Sequence, residues 1–453
     1  MTSNLLRAQE RPNLVFLLSD DQRWDALGAM GHPILRTPHL DRLASRGVLF
    51  RNHFVTTSIC AVSRASIFSG QWAGTHGIRD FATGFTDDAW GRTYPALLRH
   101  AGYFTGFIGK WGVGRDLPES RFDFWRGFGG QGHYYQKRPN GQFVHLTELM
   151  GDQSIEFLDA APRGRPFCLS VSFKAPHVQD QDPRQFLYDP ANAALYQDVR
   201  IPVPETAEPR YINALPVEVQ RSEGRRRWAV RFGTPELYEE SVRSYYRLIT
   251  EMDTAIGRLT AELARRGLAD NTVIVFTSDN GFYLGEHGLA GKWLMHEESI
   301  RVPLLIFDPR LPAARRGSTV DEMTLNVDLA PTLLAAASLP PVSGMQGRPL
   351  LPLVRGERPR WRREWFYEHH FSHDGWIPQT EGIRTNRWKY TRYLDTQPLF
   401  EALFDLAADP REARNLAREE QGQPSLLELR ERWRVWRKAL AAVRPGSRWE
   451  DPN

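Results

Sequence analysis

The sequence has few cysteines, little net charge and no long hydrophobic run, and each of these absences excludes a class of protein. Two cysteines, Cys60 and Cys168, among 453 residues are too few for a disulfide-stabilised scaffold or a multi-cysteine zinc module. A net charge of +4, with basic runs confined to residues 225–227 and 358–363, gives no extended footprint for nucleic acid or a membrane surface. No segment approaches the length of a membrane span.

The amino terminus also lacks a recognisable targeting segment. Its first twelve residues, MTSNLLRAQERP, contain no hydrophobic stretch of the kind found in secretory signal peptides. The sequence as it stands therefore predicts a cytoplasmic protein, or a periplasmic or secreted one if a signal has been removed.

What the sequence does contain is a series of short apolar runs separated by helical patterns. The runs have the length of strands and are rich in β-branched and aromatic residues, which predicts buried strands over residues 13–18, 103–108, 167–173, 272–276 and 302–307. A long helix is predicted after Thr234-Pro235, where apolar residues recur at steps of three and four until Gly267. Alternating strands and helices indicate an α/β fold with a large mixed, mainly parallel central sheet flanked by helices.

The pattern changes twice along the chain. Residues 178–231 are polar, contain prolines and show no sustained periodicity, so we expect a surface excursion close to a functional site. After residue 355 a basic segment leads to aromatic-rich runs and to a final helix near residues 426–443. We therefore predict two domains, a catalytic α/β domain over residues 1–355 and a smaller α+β domain over residues 356–453.

Polar side chains follow four of the predicted strands. Asp20-Asp21, Lys110, His177 and Asp279-Asn280 each come directly after an apolar run. Because ligands of open α/β sheets bind beyond the carboxyl ends of the strands, we expect these groups to meet at one edge. Three carboxylates and an amide form an all-oxygen donor set that suits Ca²⁺ or Mg²⁺. Any one of these residues taken alone is equally typical of an ordinary strand exit or a helix cap.

The two cysteines differ in their surroundings. Cys60 precedes a helix-like segment that contains Arg64, so its sulfur would lie near the positive end of a helix dipole and beside a cation. This placement suits an activated nucleophile or an anionic substrate, but a small buried cysteine explains it equally well. Cys168 lies within an apolar run, which favours an inert core thiol.

Several segments together resemble the formylglycine-dependent sulfatases of the alkaline-phosphatase-like superfamily. They are PNLVFLLSDDQRWDALG, TPHLDRLASRGVLFRNHF, CAVSRASIFSG, GYFTGFIGKWGVG, FKAPH, FTSDNGFYLGEHGLAGKWLMHEESIRVPLLI, GIRTNRWKY and LFDLAADPREARNLA, in the order of that family and over nearly the whole chain. In the family, the cysteine of a Cys-x-Pro-Ser-Arg motif is oxidised after translation to formylglycine, whose hydrated aldehyde is the nucleophile. The resemblance implies a sulfuric ester hydrolase that needs a formylglycine-generating maturation enzyme and acts on a sulfated small molecule or glycan.

The resemblance also implies roles for individual residues. A Ca²⁺ ion, or alternatively Mg²⁺ or Mn²⁺, would be bound by Asp20, Asp21, Asp279, Asn280 and the formylglycine made from Cys60. Arg64 would hold the nucleophile and help to neutralise the sulfate, and Lys110 and Lys292 would bind sulfate oxygens. His177 and Lys292 would protonate the departing alcohol, and His287 would contribute to substrate binding.

Two positions depart from the family pattern. Val62 replaces the proline of the modification motif, and Gly112 replaces the histidine that the family commonly places in Gly-Lys-Trp-His-x-Gly and that serves there as the base for eliminating sulfate. His53 and His76 are the histidines closest in sequence to the Cys60 segment that could substitute for it. If none does, restoring the imidazole by Gly112→His should raise turnover.

Three functions are therefore compatible with the sequence. The leading one is a sulfatase acting on a sulfated carbohydrate or an aryl sulfate, because the nucleophile position is a cysteine in a near-complete modification motif. A phosphonate or phosphate-diester hydrolase of the same superfamily would also bind a tetrahedral anion beside a hard metal. A catalytically impaired, sulfoglycan-binding homologue would explain Val62 and Gly112. Trp376 is a candidate platform for a sugar ring, although most tryptophans serve as core residues.

Overall fold

The computed structural model describes residues 11–138, 140–443, 449 and 451–452. Most of the amino-terminal segment on which the cytoplasmic location rests lies outside the described residues, and the location stays a prediction. Within the described residues, no helix is both long and apolar enough to cross a membrane.

The strands form a large sheet, a smaller carboxy-terminal sheet and two short pairs. They are β1 (Asn13–Asp20), β2 (Val48–Phe54), β3 (Phe104–Lys110), β4 (Phe124–Phe128), β5 (Tyr135–Lys137), β6 (Phe143–His145), β7 (Phe167–Pro176), β8 (Thr272–Ser278), β9 (Tyr283–Leu284), β10 (Ala290–Gly291), β11 (Arg301–Phe307), β12 (Ser318–Val320), β13 (Thr324–Leu325), β14 (Glu364–His369), β15 (Thr380–Thr385), β16 (Trp388–Tyr393) and β17 (Phe400–Asp405). All the apolar runs predicted as strands belong to the large sheet.

The helices lie between these strands and after the last of them. They are α1 (Pro38–Arg46), α2 (Cys60–Ser69), α3 (Ala73–His76), α4 (Asp87–Gly91), α5 (Tyr94–His100), α6 (Leu146–Ala160), α7 (Pro209–Asn213), α8 (Val217–Gln220), α9 (Glu223–Phe232), α10 (Pro235–Arg265), α11 (Glu297–Ile300), α12 (Leu329–Ala336), α13 (Leu351–Val354) and α14 (Gln423–Ala442). The predicted long helix is α10. The expectation of an irregular stretch over residues 178–231 is wrong at its end, where α7, α8 and α9 form.

The large sheet has the strand order β12-β2-β11-β8-β1-β7-β3-β4, with β13 beside β2. Its central strands are parallel, and β11 runs antiparallel to both of its neighbours. Every residue of β1 is buried because helices cover both faces. Val15 and Leu17 pack in a cluster that includes residues of α10, and Leu14 and Phe16 pack in the opposite cluster, with residues of α2 and α12. The predicted mixed, mainly parallel α/β sheet is confirmed.

The carboxy-terminal part of the chain forms a separate antiparallel sheet. Its four strands follow the order β14-β15-β16-β17, and apolar residues of α14 pack with the residues of this sheet. This arrangement confirms the smaller α+β unit. The predicted boundary after residue 355 stays a prediction, since the first strand of the unit begins at Glu364.

A buried acid in α10 makes the stability of the fold sensitive to pH. Glu251 is 7% exposed and accepts hydrogen bonds from the backbone N–H of Asp189 at 2.7 Å and from the Asn192 amide at 3.0 Å. Burial raises the pKa of Glu251 to about 8. The His145 Nε2 donates to the Leu187 carbonyl, so its Nδ1 is an acceptor, which takes the Thr147 N–H and lies 3.4 Å from Glu251 Oε2.

We expect the free energy of unfolding to fall as the pH rises from about 5 to above 8, because the folded state must then bury the Glu251 charge. The Glu251→Gln variant, which mimics the neutral acid, should gain roughly 2–4 kcal/mol over the wild type at pH 9 and little at pH 5. Urea unfolding at both pH values measures the difference, with Glu428→Gln on the exposed face of α14 as the control. An equal effect at both pH values would contradict the prediction.

Candidate active site

The polar residues predicted to follow the strands do converge at one edge of the large sheet. Asp20 and Lys110 end β1 and β3, His177 follows β7, and Asp279 follows β8. The four strands stand side by side in the sheet, in the order β8-β1-β7-β3. Parallel strands therefore bring four distant parts of the chain to one place.

Two consecutive aspartates contribute carboxylates to the same site. Side chains of successive strand residues normally point to opposite faces, but Asp21 has a left-handed φ of 67°, which breaks the alternation at the end of β1. The backbone N–H of Asp21 donates to Asp279 Oδ1 at 3.3 Å, and the Tyr245 hydroxyl donates to the Asp21 carbonyl at 2.8 Å. Asp20, Asp21 and Asp279 are all buried.

Cys60 is the first residue of α2 and lies directly against this carboxylate cluster. Its Sγ is 3.4 Å from Asp20 Oδ1 and 3.0 Å from Lys292 Nζ. Burial and the charge of Asp20 raise the pKa of the Cys60 thiol to about 12, although Lys110 and Lys292 act in the opposite direction. An unmodified Cys60 is therefore a neutral thiol, and the helix dipole does not make it an activated nucleophile.

Arg64 links the acids to the neighbouring strands. Its Nε donates to Asp279 at 2.8 Å and its Nη2 to Asp20 at 3.1 Å, while Nη1 donates to the Lys110 carbonyl at 2.7 Å and to the Ser172 hydroxyl. A guanidinium has five N–H donors. At most one of them is left for a sulfate oxygen, so Arg64 mainly holds Asp20 and Asp279 in place.

The two lysines named by the resemblance both reach the cluster. Lys110 donates to Asp20 and to Gln131 Oε1, the latter at 2.7 Å. Lys292 donates to Asp21. Gln131 was not identified from the sequence, because it lies in a glycine-rich loop with no strand or helix pattern and only the fold brings it to Lys110.

His177 is fixed by its neighbours in a single tautomer. Its Nδ1 lies 2.7 Å from the Val178 carbonyl oxygen, which can only accept, so Nδ1 carries the proton and Nε2 is an acceptor 3.6 Å from Asp21 Oδ2. Lys174 donates to the same Val178 carbonyl at 2.9 Å, and the Tyr134 hydroxyl donates to the His177 carbonyl. Burial holds the pKa of His177 well below its usual value, Asp20 acts in the opposite direction, and the nearby lysines lower the pKa further. Lys174 was missed although it lies within the quoted FKAPH segment.

Three histidines considered from the sequence make other contacts. The ring of His287 stacks on His296 with centroids 4.2 Å apart, and its other ring neighbours are Tyr211 and Tyr283. His53 bonds to the Thr324 hydroxyl at 3.0 Å, and His76 bonds to the Ser66 hydroxyl at 3.0 Å. The contacts of His53 and His76 are structural and provide no support for either as a replacement base, whereas substrate binding by His287 stays a prediction.

The donor set of the cluster fits a hard divalent cation. Donor atoms of Asp20, Asp21, Cys60 and His177 all lie within 4.8 Å of one another. The side chain of Asn280 donates to Asp21, and its buried Oδ1 has no hydrogen-bond partner. A buried amide oxygen without a donor, beside carboxylates, is a ready ligand for such a cation.

Three cationic side chains match the three aspartates of the site without any metal ion. Asp20, Asp21 and Asp279 face Arg64, Lys110 and Lys292 in direct contacts. Burial opposes the ionisation of Asp20, but these cations and His177 together hold its pKa well below the usual value. Burial raises the pKa of Asp279 to about 6 and also raises that of Asp21. A divalent cation would leave two surplus positive charges, which suits a sulfate group.

The place of the missing histidine is occupied by Arg64. Gly112 has a φ of 74°, and a Cβ atom built on it would lie 2.8 Å from Arg64 Cδ. A side chain at this position is strained by the backbone, which costs about 1–2 kcal/mol in the left-handed region, and it also displaces Arg64. The geometry therefore argues against the gain in turnover expected from the sequence.

We expect Gly112→His to lower kcat by about tenfold or more, because Arg64 would lose its contacts with the two aspartates. Gly77→Ala is the matched control, since Gly77 has a φ of 75° and open space around its Cβ position. The control shares the backbone strain and should keep its activity. Steady-state assays and melting temperatures of both variants test this prediction. A rise in kcat for Gly112→His would contradict it and support the gain in turnover expected from the sequence.

Comparison with known families gives two matches that together span most of the chain. A family model described as "Sulfatase" matches residues 12–339. A second, described as "N-sulphoglucosamine sulphohydrolase, C-terminal", matches residues 285–439.

Individual relatives agree with this result. The chain is 31% identical to an N-acetylglucosamine-6-O-sulfatase of Bacteroides thetaiotaomicron, over 90% of this chain and 83% of the relative. It is 28% identical to an arylsulfatase of Clostridium perfringens, over 91% of both. A solved structure in complex with its substrate D-glucosamine-2-N,6-O-disulfate aligns with a TM-score of 0.81 and 27% identity, covering 96% of this chain and 99% of the other. A phosphonate monoester hydrolase of Silicibacter pomeroyi has a TM-score of 0.80, with 97% and 99% coverage, but at 23% identity it shows the fold alone.

Proposed function

Because the chain belongs to the sulfatase family and is a sulfuric ester hydrolase, we propose that it releases sulfate from a sulfated carbohydrate through a formylglycine formed from Cys60. The observation that carries the proposal is the position of Cys60, whose Sγ lies between Asp20 and Lys292 at the carboxyl edge of the sheet. A neutral thiol there is a poor nucleophile, whereas a hydrated aldehyde would supply one hydroxyl to attack sulfur and a second to expel sulfate. The glucosamine sulfates named for two relatives support a sulfated amino sugar as substrate.

We assign the cation site to five residues, Asp20, Asp21, Asp279, Asn280 and the modified Cys60, and the oxygen-rich donor set favours Ca²⁺ over Mg²⁺ or Mn²⁺. Such an ion supplies positive charge for the transferring sulfuryl group. These residues would hold it, and Arg64 would keep Asp20 and Asp279 in position through its own hydrogen bonds.

The remaining residues bind the anion and move protons. Burial lowers the pKa of Lys292, but Asp21 and the other two aspartates raise it above the usual value, so Lys292 is a cation next to the nucleophile. It is the best-placed donor for the departing alcohol. His177 holds its proton on Nδ1 toward Val178, so its Nε2 has no proton to donate, and Lys292 acts as the general acid. Lys110, oriented by Gln131, binds sulfate oxygens.

The test combines mass spectrometry with a substrate panel. The tryptic peptide of residues 52–64, from protein made in the native host, should be lighter than its cysteine form by the conversion to formylglycine. The same protein should hydrolyse glucosamine 6-sulfate faster than a matched phosphodiester. A fully alkylatable Cys60 in active protein would contradict the assignment of formylglycine as the nucleophile. Faster cleavage of the phosphodiester would contradict the assignment of a sulfate ester as the substrate.

Removal of divalent cations should abolish activity and leave the protein folded. The reason is the charge balance of the site, in which Arg64, Lys110 and Lys292 already neutralise the three aspartates. Circular dichroism after chelation should be unchanged, and added Ca²⁺ should restore turnover and raise the melting temperature. Unfolding on chelation, or full activity without any divalent cation, would contradict the assignment.

A further inference from the structure

A loop of the carboxy-terminal unit packs against the catalytic helix. Phe371 and Ile377 lie in one apolar cluster with Ile59, Val62 and Trp293. Ile59 and Val62 flank Cys60 in sequence, and Trp293 follows Lys292. The loop over residues 371–378, which we call the rim loop, therefore sits beside the nucleophile helix.

The rim loop carries an exposed tryptophan. Trp376 is 52% exposed, and among the tryptophans in the described part of the chain it is the one whose side chain is left this open to solvent. A large aromatic surface left in water costs free energy that burial would recover. An exposed indole next to a catalytic site is therefore a candidate contact for a ligand.

The ring stands on a constrained backbone. The Trp376 carbonyl accepts a hydrogen bond from the Glu223 N–H at 2.8 Å, and its N–H donates to the His373 carbonyl at 3.1 Å. His373, Asp374 and Gly375 have left-handed φ values of 47°, 56° and 85°. Two successive non-glycine residues in this region, both of types that adopt it readily, define a tight turn. The turn therefore fixes the backbone from which the indole projects.

The indole is also close to the transfer chemistry. Trp376 and Lys292 line the same small cavity, together with Trp293, Leu289 and Ile377. Lys292 Nζ is 3.0 Å from Cys60 Sγ. Trp376 therefore shares one wall of the protein with the lysine that contacts the nucleophile position.

We propose that Trp376 is the platform on which the pyranose ring of the sulfated sugar rests, so that it determines specificity for sugar over other leaving groups. A pyranose presents a face of C–H groups that packs on an aromatic ring, and a rigid indole provides a large contact area at little cost in conformational entropy. The proposal rests on the proposed function, because it requires a sulfated carbohydrate as substrate.

The test compares Trp376→Ala and Trp376→Phe on glucosamine 6-sulfate, with inhibition by inorganic sulfate measured in an assay that uses 4-nitrophenyl sulfate. We expect kcat/KM for the sugar ester to fall about tenfold in Trp376→Ala, mainly through KM, and to recover in Trp376→Phe. The inhibition constant of inorganic sulfate should change less than twofold. Leu427→Ala, at an exposed apolar position of α14, is the control for removing surface area.

Two results would overturn the platform alone. The first is a kcat/KM of Trp376→Ala on the sugar ester that lies within twofold of the wild type. The second is an equal loss of kcat/KM on the sugar ester and on 4-nitrophenyl sulfate together with weaker inhibition by sulfate, which indicates a structural role. A wild type that cleaves 4-nitrophenyl sulfate but no sugar sulfate rejects the proposed substrate class and the platform with it. The outcomes therefore distinguish failure of the platform from failure of the proposed function.

Discussion

Cys60→Ser should lower kcat by at least about 1000-fold, the scale of loss seen when an enzyme's nucleophile is removed. Serine in place of Cys60 offers one hydroxyl, while the proposed chemistry needs a second one on the same carbon to expel the sulfate. The variant should therefore complete one sulfate transfer at most and then stop. Mass spectrometry after incubation with substrate should show a protein heavier by one sulfate group, and steady-state assays should show no continuing release.

Cys168→Ser is the matched control for this prediction. Cys168 lies in β7, is buried like Cys60, and burial raises its pKa to about 12 as well. It packs in the apolar cluster on one face of the sheet, so its replacement should lower the melting temperature and leave kcat within about twofold. Activity of Cys60→Ser within tenfold of the wild type would place the nucleophile elsewhere.

Arg64→Lys should lower kcat by about 100- to 1000-fold, because a single ammonium cannot replace the fork that orients two carboxylates. The guanidinium contacts Asp20, Asp279, Ser172 and the Lys110 carbonyl, and it is completely buried. Arg64→Met would in addition remove the cation that contacts buried Asp279, and breaking a buried ion pair costs about 3–5 kcal/mol of stability. Calcium titration should show weaker binding in both variants.

The control for Arg64 is another buried ion pair in the same chain. Arg362 pairs with Asp328, and both side chains are buried. Arg362→Lys should lower the melting temperature to a similar degree without the loss of kcat. If Arg64→Lys retains calcium affinity and turnover, the guanidinium fork is not what positions the acids.

The fold and the acidic part of the site were predictable because they depend on patterns that are local in sequence. The apolar runs of β1, β3, β7 and β8 indicate buried parallel strands, and parallel strands end at a common edge. Once the strands are known, the convergence of Asp20 and Asp279 follows from geometry. The resemblance to sulfatases then added Cys60 and Lys292, which no periodicity would have linked.

Other features depend on packing that no local pattern reveals. Gly112 stands where the family has a histidine, but a Cβ atom at this position would contact Arg64, which lies far away in sequence. Gln131 reaches Lys110 only through the path of a loop. The stacking of His287 on His296 is another contact that only the fold reveals, and substrate binding by His287 stays a prediction. The α9 helix was not predicted because its sequence is rich in arginine and its few buried residues do not form a helical apolar pattern.

The burial of α2 has a consequence for how the protein is made. Every residue from Cys60 to Ser69 is buried in the folded chain, and the rim loop covers the helix start. Under the proposed modification, a maturation enzyme must reach the Cys60 side chain, which the native state does not expose. Conversion and folding therefore compete in time, and chains that fold first are trapped as inactive thiol protein. Slower folding during expression should raise the yield of active enzyme, and refolded thiol protein should resist later conversion.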